Sequence, residues 1–369
     1  MAKKKEERKV KNTNGSFELV GAINLGLDKF SAKTSDSGYK YQRFSSSINC
    51  GSTKPRIQAM GGFFPNNPYP ISYYDNGAKC EIDWVDRLNE KIVKEVPNYN
   101  RITLGVTRDE SGAIVYKDFL SWFDAMAELQ KLQDGSVVKV KGDVKYQIYE
   151  KDGKETTNYQ LEVNKIYLCD AEEEDFHATF KQVVLFDEDS IDKARYKEDK
   201  EIDIFGTVIQ YDSTIKVSRP MPFKYVVALE DFKSPDQFKK MLALMKVKTG
   251  VLGFEVLGDI HAETSVRQAT VEDFSADLLD FYEDDVDTLL EEKIIDNSAG
   301  GNFLSITKPA MRVNKKTTKK ELFREAKDWL PEDLIFQGKK EETVEDIDDL
   351  IDGELNLDDL DLDLDLDLD

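Results

Sequence analysis

Residues 134–168 read DGSVVKVKGDVKYQIYEKDGKETTNYQLEVNKIYL. After Gly135, the residues Val138, Val140, Gly142, Val144, Tyr146 and Ile148 alternate with polar ones, the period of a strand with one buried face. Lys151-Asp152-Gly153-Lys154 turns the chain back into a second strand, Tyr159 to Leu168, so the stretch is a hairpin. Just upstream, Phe119, Trp122, Phe123, Met126, Leu129 and Leu132 recur at helical spacing, and Asp134-Gly135 stops them.

Towards the amino terminus, Phe17, Leu19, Gly21, Ile23 and Leu25 share one face of a first strand. A second runs from Tyr39 to Cys50, with a parity change near Arg43–Phe44 that suggests a bulge. Residues 51–98 are rich in Gly, Pro, Asn and Tyr and read as an insertion, followed by a short strand from Arg101 to Val106. Three strands, a helix and two strands is the order of an OB-fold, which other small β-barrels can share.

The order then repeats. Strands are legible at 178–186, 202–208 and 225–229. Ser234-Pro235-Asp236 opens a helix with Phe238, Met241, Leu242 and Met245 on its buried stripe. Gly250 ends it, and Leu252 to Ile260 alternate. GSVVKVKGDV after the first helix matches GVLGFEVLGDI after the second, which points to a tandem duplication. The recurring glycine within the strand marks a barrel bend. The expected fold class is mainly β with a few helices: tandem OB-fold barrels plus a disordered acidic C-terminal tail. The expected divisions are a basic flexible arm at 1–14, a first barrel at 15–170 and a second at 171–272. An acidic helix, a linker and a basic amphipathic helix follow at 273–330, then the tail at 331–369.

Charge is segregated along the chain. Glu332 to Asp369 carries 17 carboxylates against two lysines, about −15 of the formal −22. Its last nine residues, Asp361, Leu362, Asp363, Leu364, Asp365, Leu366, Asp367, Leu368 and Asp369, alternate acid with leucine. Neighbouring carboxylates repel, so an unfolded polyanion is expected there. Glu272 to Lys293 holds ten more carboxylates against one lysine, and the remainder sums to about +2. An acidic chain of this kind can still bind nucleic acid. Lys315, Lys316, Lys319 and Lys320 precede a candidate capping box, Thr318 with Glu321, for the basic helix.

Cys50, Cys80 and Cys169 form no Cys-x-x-Cys pair, and His177 and His261 are the only histidines. No zinc site, disulfide framework or other cofactor is therefore expected. No apolar run spans a bilayer, and Lys3-Lys4-Lys5 lacks the apolar stretch of a signal peptide. The expectation is a cytoplasmic protein with reduced thiols and no membrane partner. No phosphate-binding loop or nucleophile–base arrangement is present, and Asp284-Asp285 has no accompanying lysine or histidine, so no enzyme is expected.

The binding chemistry lies in the first half. Lys139, Lys141, Lys145 and Tyr149 occupy the outward parity of one strand: cations for phosphates and a ring for a base, or else a solvated outer face. The neighbouring stretch offers Tyr39, Lys40, Tyr41, Arg43, Phe44, Lys54 and Arg56, with Phe44 assigned to the core and Tyr41 and Arg43 to a ligand. Phe63, Phe64, Tyr69, Tyr73, Tyr74 and Trp84 in the insertion are further stacking candidates. The second barrel exposes Glu201, Asp203, Glu255 and Asp259, with one small patch of Tyr211, Lys216, Arg219, Lys224 and Tyr225. Its expected role is support.

Residues 134–168 resemble the last two strands of bacterial single-stranded DNA-binding proteins. Tyr99-Asn100-Arg101-Ile102-Thr103-Leu104 resembles their aromatic, basic and apolar approach to the helix, and Phe17 to Ile23 their opening strand. The similarity covers roughly 15–170, interrupted at 51–98. It implies that Tyr149 is the hairpin aromatic that stacks on a base and Tyr99 the aromatic before the third strand. Tyr159 would be the return-strand tyrosine, with Arg101 and Lys145 as basic residues of the site. Gly105 departs from the pattern where that family has a stacking Phe. The resemblance also implies an acidic tail that competes with DNA and recruits other replication proteins, although this one ends Leu368-Asp369 rather than in an aromatic.

The expectation is thus a non-enzymatic protein that binds single-stranded DNA in replication, recombination and repair, of a phage or mobile element in its bacterial host. A protein–protein adaptor built of OB domains and a single-stranded RNA binder are the rival expectations.

Overall fold

The structure is a computed structural model. It describes residues 10–26, 29–75, 77–151, 154–212, 215–262, 265–268, 293–296, 302–314, 317–326 and 328–336. The first half contains β1 (Gly15–Asn24), β2 (Phe30–Thr34), β3 (Lys40–Asn49), β4 (Arg56–Phe63), β5 (Ile71–Asp75) and β6 (Ala78–Ile82). α1 (Glu90–Glu95), β7 (Ile102–Arg108), β8 (Ile114–Phe119), α2 (Trp122–Leu129), β9 (Val137–Lys151) and β10 (Lys154–Leu168) complete it. The second half opens with β11 (His177–Phe186), β12 (Ile191–Asp192), α3 (Tyr196–Asp199), β13 (Glu201–Asp212), β14 (Val217–Ala228), α4 (Pro235–Met245) and β15 (Leu252–His261). It continues through β16 (Ser265–Gln268), β17 (Lys293–Asp296), β18 (Phe303–Pro309), β19 (Met311–Val313), β20 (Lys320–Leu322) and β21 (Arg324–Glu325).

Two closed rings of strands emerge from the pairing. β1 pairs antiparallel with β3 and β9, β3 with β4, and β9 with β10, while β4 closes onto β10 in parallel. In the second ring β11 pairs with β13 and β15, β13 with β14, and β15 with β18, while β14 closes onto β18 in parallel. Both rings have the strand order of an OB-fold, and the helix precedes strand four in each. The tandem barrels are real.

The same atoms justify the repeated glycine. A Cβ on Gly142 would strike the Glu162 carbonyl and the Phe17 ring, and one on Gly258 would strike the Ser305 carbonyl and the Phe180 ring. Phe17 and Phe180 also face each other directly where β1 pairs antiparallel with β11. The two barrels therefore meet about a local pseudo-twofold, their strands merged into one 15-stranded sheet.

Both barrel helices begin as their caps dictate. Ser121 accepts from the Phe123 amide at 3.1 Å, and Ser234 from the Gln237 amide at 3.3 Å ahead of Pro235. Trp122, Ala125, Met126 and Leu129 of α2, and Phe238, Met241 and Met245 of α4, turn into one continuous core.

Several expectations need correction. Phe119 ends β8 rather than starting α2. The β3–β4 ladder runs without a register break, so the bulge near Arg43 is absent. Residues 51–98 are not all insertion, because Arg56–Phe63 pairs along β3 and reaches β10. The barrel's third edge is split between β4 and β7, both parallel to β10, and the insertion lies between them. The second barrel does not close by residue 272, since its fifth strand is Phe303–Pro309.

The basic amphipathic helix is also absent. Residues 320–325 form β20 and β21, followed by a 3-10 turn at Pro331–Leu334. Trp329 explains the change. Its ring is buried among Val183, Leu185, Ile209 and Val251, and its indole N–H donates to the Lys11 carbonyl at 2.9 Å. An extended path carries it there. Lys11 pairs with Asp328 at 2.5 Å, and the Thr13 amide donates to the Ile209 carbonyl at 2.7 Å, so residues 10–13 of the expected arm are pinned. Residues 1–9 and 269–292, the latter holding most of the acidic helix expected at the start of 273–330, lie outside the described residues, as do 337–369 of the tail expected at 331–369, whereas its first residues are ordered in the turn at Pro331–Leu334.

Candidate nucleic-acid interface

The outward parity of β3, β4, β10 and β9 makes one face. Ladder pairs place Arg43 opposite Met60, Ser45 opposite Gln58 and Ser47 opposite Arg56. Gln160 of β10 stands opposite Lys145 of β9, and Asn158 opposite Gln147. A line of hydrogen bonds crosses all four strands. The Arg43 guanidinium donates to Gln58 Oε1 at 3.4 Å, the Gln58 amide donates to Gln160, and Gln160 donates to Gln147 at 2.7 Å. Sequence reasoning missed Gln58, Gln147 and Gln160. Their outward parity beside the basic residues was the available signal.

Arg43 and Arg56 have no carboxylate partner among the described residues. Arg56 Nε donates instead to Ser45 Oγ at 3.0 Å. Burial, then the charge of Arg56, pulls the Arg43 guanidinium below its ordinary value, against an opposing pull from Tyr41. Two cations that repel each other are both favoured by an anion bound beside them. Among the described residues Lys145 makes one ion pair, with Asp143 at 4.0 Å. Tyr149, 44% exposed, projects from the same parity of β9. Lys40 is exposed at the end of β3, opposite Phe63.

Other expected ligands are engaged elsewhere. Lys139 and Lys141 share the outward face of β9, yet Glu18 of β1 lies 3.6 and 2.5 Å from their ammonium groups. Burial alone would raise the Glu18 carboxyl, but its bonds to Lys141 and His177 hold it below the usual range. Arg101 is spent on Asp118 at 2.5 Å. Lys54 is half-buried at the junction of the barrels, its amide donating to the Ala262 carbonyl at 3.1 Å. Tyr99 is 67% exposed, and its hydroxyl donates to Asp75 of the insertion at 3.0 Å.

Two tyrosines expected to meet a base are covered. Tyr41 is only 8% exposed, with Tyr39 stacked on it at 6.2 Å. Tyr159 packs edge-on against Phe223 of the second barrel at 5.9 Å, and burial pushes its hydroxyl pKa well up. In the second barrel's small patch Tyr225 is likewise buried, and Glu255 is buried in a bidentate pair with Arg312 at 2.7 and 2.9 Å. At Gly105 the missing side chain leaves room for Tyr116, whose ring lies 3.0 Å from where a Cβ would sit. Tyr116 is exposed and meets Tyr167 edge-on at 5.9 Å, so an aromatic surface exists there from another strand.

A family model named YorF matches residues 106–287. A search of curated proteins finds no match. Two solved structures of the single-stranded DNA-binding protein from Thermus aquaticus, a deletion mutant and the wild type, align with 69% of this chain. They are covered to 88% and 87%, with 11% and 10% identity and a TM-score of 0.30 in each case. The OB topology of this chain stands on its own strand pairing.

Among the described residues no group of three His, Cys, Asp or Glu side chains could hold a metal ion. No described helix is long and apolar enough to cross a membrane. What the face can do chemically is bind: guanidinium groups for phosphate oxygens, amides for polar edges, and Tyr149 for stacking.

Proposed function

We propose that this chain is a non-enzymatic binder of single-stranded DNA, gripping it on the outer face of β3, β4, β10 and β9. The observation that carries this is the pair Arg43 and Arg56, which lie without described carboxylate partners beside the amide line that leads to Lys145 and Tyr149. Phosphates on the cations and bases over amides and rings would give sequence-tolerant affinity, since every base has a π-face. The binding track is shorter than the row of lysines in β9, because Glu18 neutralises its lower end. The second barrel supports the first.

The acidic tail, including 361–369, serves in this reading as a competing polyanion and as a landing site for replication proteins. The described chain stops at Phe336, whose ring lies 4.5 Å from the Arg219 guanidinium. The 33 residues beyond it can span roughly 110 Å when extended, ample to reach the face. A setting in replication, recombination and repair, in a phage-infected bacterial cytoplasm, comes from the resemblance of 15–170 to the single-stranded DNA-binding proteins.

The test is binding of oligo-dT across a salt series. Log affinity should fall with log salt by about 0.7 per phosphate contacted. Replacing both arginines (Arg43→Gln with Arg56→Gln) should weaken binding and flatten the slope by about 1.4. A chain ending at Gly338 should bind more tightly, most visibly at low salt. An unchanged slope in the double variant would remove this face from the site.

A further inference from the structure

A cleft of about 600 Å³ opens beside the proposed binding face, where β4 runs into the insertion. Its volume is that of a small-molecule site. Two groups of rings flank the Gly61-Gly62 end of β4. Phe63 is stacked on Trp84 at 4.8 Å, and Phe64 packs against Tyr39 at 5.0 Å and Tyr69 at 6.0 Å. Tyr69 and Met60 are 49% and 48% exposed, so the mouth presents both an accessible ring and a soft apolar rim. Met60 is also the ladder partner of Arg43, which makes the cleft continuous with the cationic face.

Among the described residues one charged side chain lines the cleft, and it comes from the other barrel. Lys216 sits in the β13–β14 turn with φ at +53°, and its ammonium makes no ion pair with a described residue. Among the described residues no carboxylate lines the cleft. A wall of rings and, among the described residues, one cation outside any ion pair and no acid fit a flat aromatic group that carries an anion. The chain's own tail offers the anions but no aromatic residue anywhere in 337–369, so it lacks the flat group.

Building on the proposed DNA-binding role, we propose that this cleft captures one unpaired nucleobase of the bound strand, stacked against Tyr69 and its neighbouring rings, with the adjacent phosphate on Lys216. The insertion then serves as a base-holding device and the second barrel contributes a phosphate contact.

The experiment uses the full chain and an oligo-dT carrying a single 5-iodouracil, crosslinked by ultraviolet light and mapped by mass spectrometry. Crosslinks should fall on Tyr69, Phe64 or Trp84. Tyr69→Ala alters an exposed side chain and should lower affinity about tenfold, the loss of one stacked base, while leaving the salt slope intact. Tyr69→Trp should restore it. Lys216→Gln should flatten the slope by about 0.7. Failure of the full chain to bind oligo-dT overturns both this assignment and the role on which it rests. Normal binding with crosslinks only elsewhere, or with parental affinity in Tyr69→Ala and Lys216→Gln, overturns the cleft assignment alone. Quenching of the Trp84 fluorescence by a peptide of residues 354–369 but not by oligo-dT would give the cleft to the tail and overturn it as well.

Discussion

Glu162 faces Gln58 across one ladder and Asp143 across the other, an acid set within a face proposed to receive phosphates. Burial raises its carboxyl pKa, Asp143 raises it further, and Lys145 opposes them. The folded state therefore holds this proton more tightly than the unfolded chain. Its unfavourable contribution to stability is absent below the ordinary carboxylate value near 4.5, and it grows as pH rises through the higher folded value. Glu162→Gln should consequently be more stable than the parent at pH 7 and no more stable at pH 4, measured by urea unfolding. Affinity for oligo-dT at pH 7 should rise by up to about fivefold, the worth of one partly screened charge pair. A variant that gained equally at both pH values would contradict this account of the site's electrostatics.

In each barrel the fourth strand is the element on which closure depends. Gly142 and Gly258 let it approach the carbonyl of strand five and the ring of strand one, so a methyl group at either position meets backbone as well as side chain. Gly142→Ala and Gly258→Ala should each cost about 1–3 kcal/mol in chemical denaturation. Because Phe17 and Phe180 face each other across β1 and β11, the two losses should couple rather than add. Losses below 0.5 kcal/mol at both sites would show that the barrels close without these contacts. The segment around Trp329 shows how an element can change type. Its apolar residues suit a helix, yet Phe323 lies 3.7 Å from the Arg312 guanidinium and Trp329 fills the space over Gly253. Extended backbone reaches both sites, and that burial outweighs helix propensity.

Across the whole molecule, the two barrels are locked by polar contacts as well as by the merged sheet. The Tyr146 hydroxyl of β9 meets the Tyr225 hydroxyl of β14 at 2.9 Å in the interior, and burial drives both hydroxyl pKa values upward. Gln210 adds a double link, accepting from the Tyr146 amide and donating to the Val144 carbonyl, each at 2.9 Å. Tyr146→Phe or Tyr225→Phe alone strands a buried hydroxyl and should cost about 1–3 kcal/mol, whereas the double variant should lose less than the sum. Urea unfolding of the four proteins closes the cycle. Strict additivity would mean that the hydroxyls do not communicate.

The sequence by itself determined whatever depends on near neighbours. Alternation in Val138 to Ile148, the cap at Ser234, the stops at Gly135 and Gly250 and the matched in-strand glycines were enough to reveal two barrels. Outward parity likewise made Lys145 and Tyr149 visible, and the basic composition of the stretch beside them marked Arg43 and Arg56. Only the tertiary structure decided which cations remain available, because Glu18 lies more than a hundred residues from Lys139 and Lys141 in the chain yet beside them in the sheet. It also decided that β4 and β7 share one edge, that strand five of the second barrel begins at Phe303, and that Tyr41 and Tyr159 are covered. The physical reason is common to all of these. Propensity and periodicity act over a few residues, whereas ion pairing, strand partnership and burial depend on what the fold places opposite.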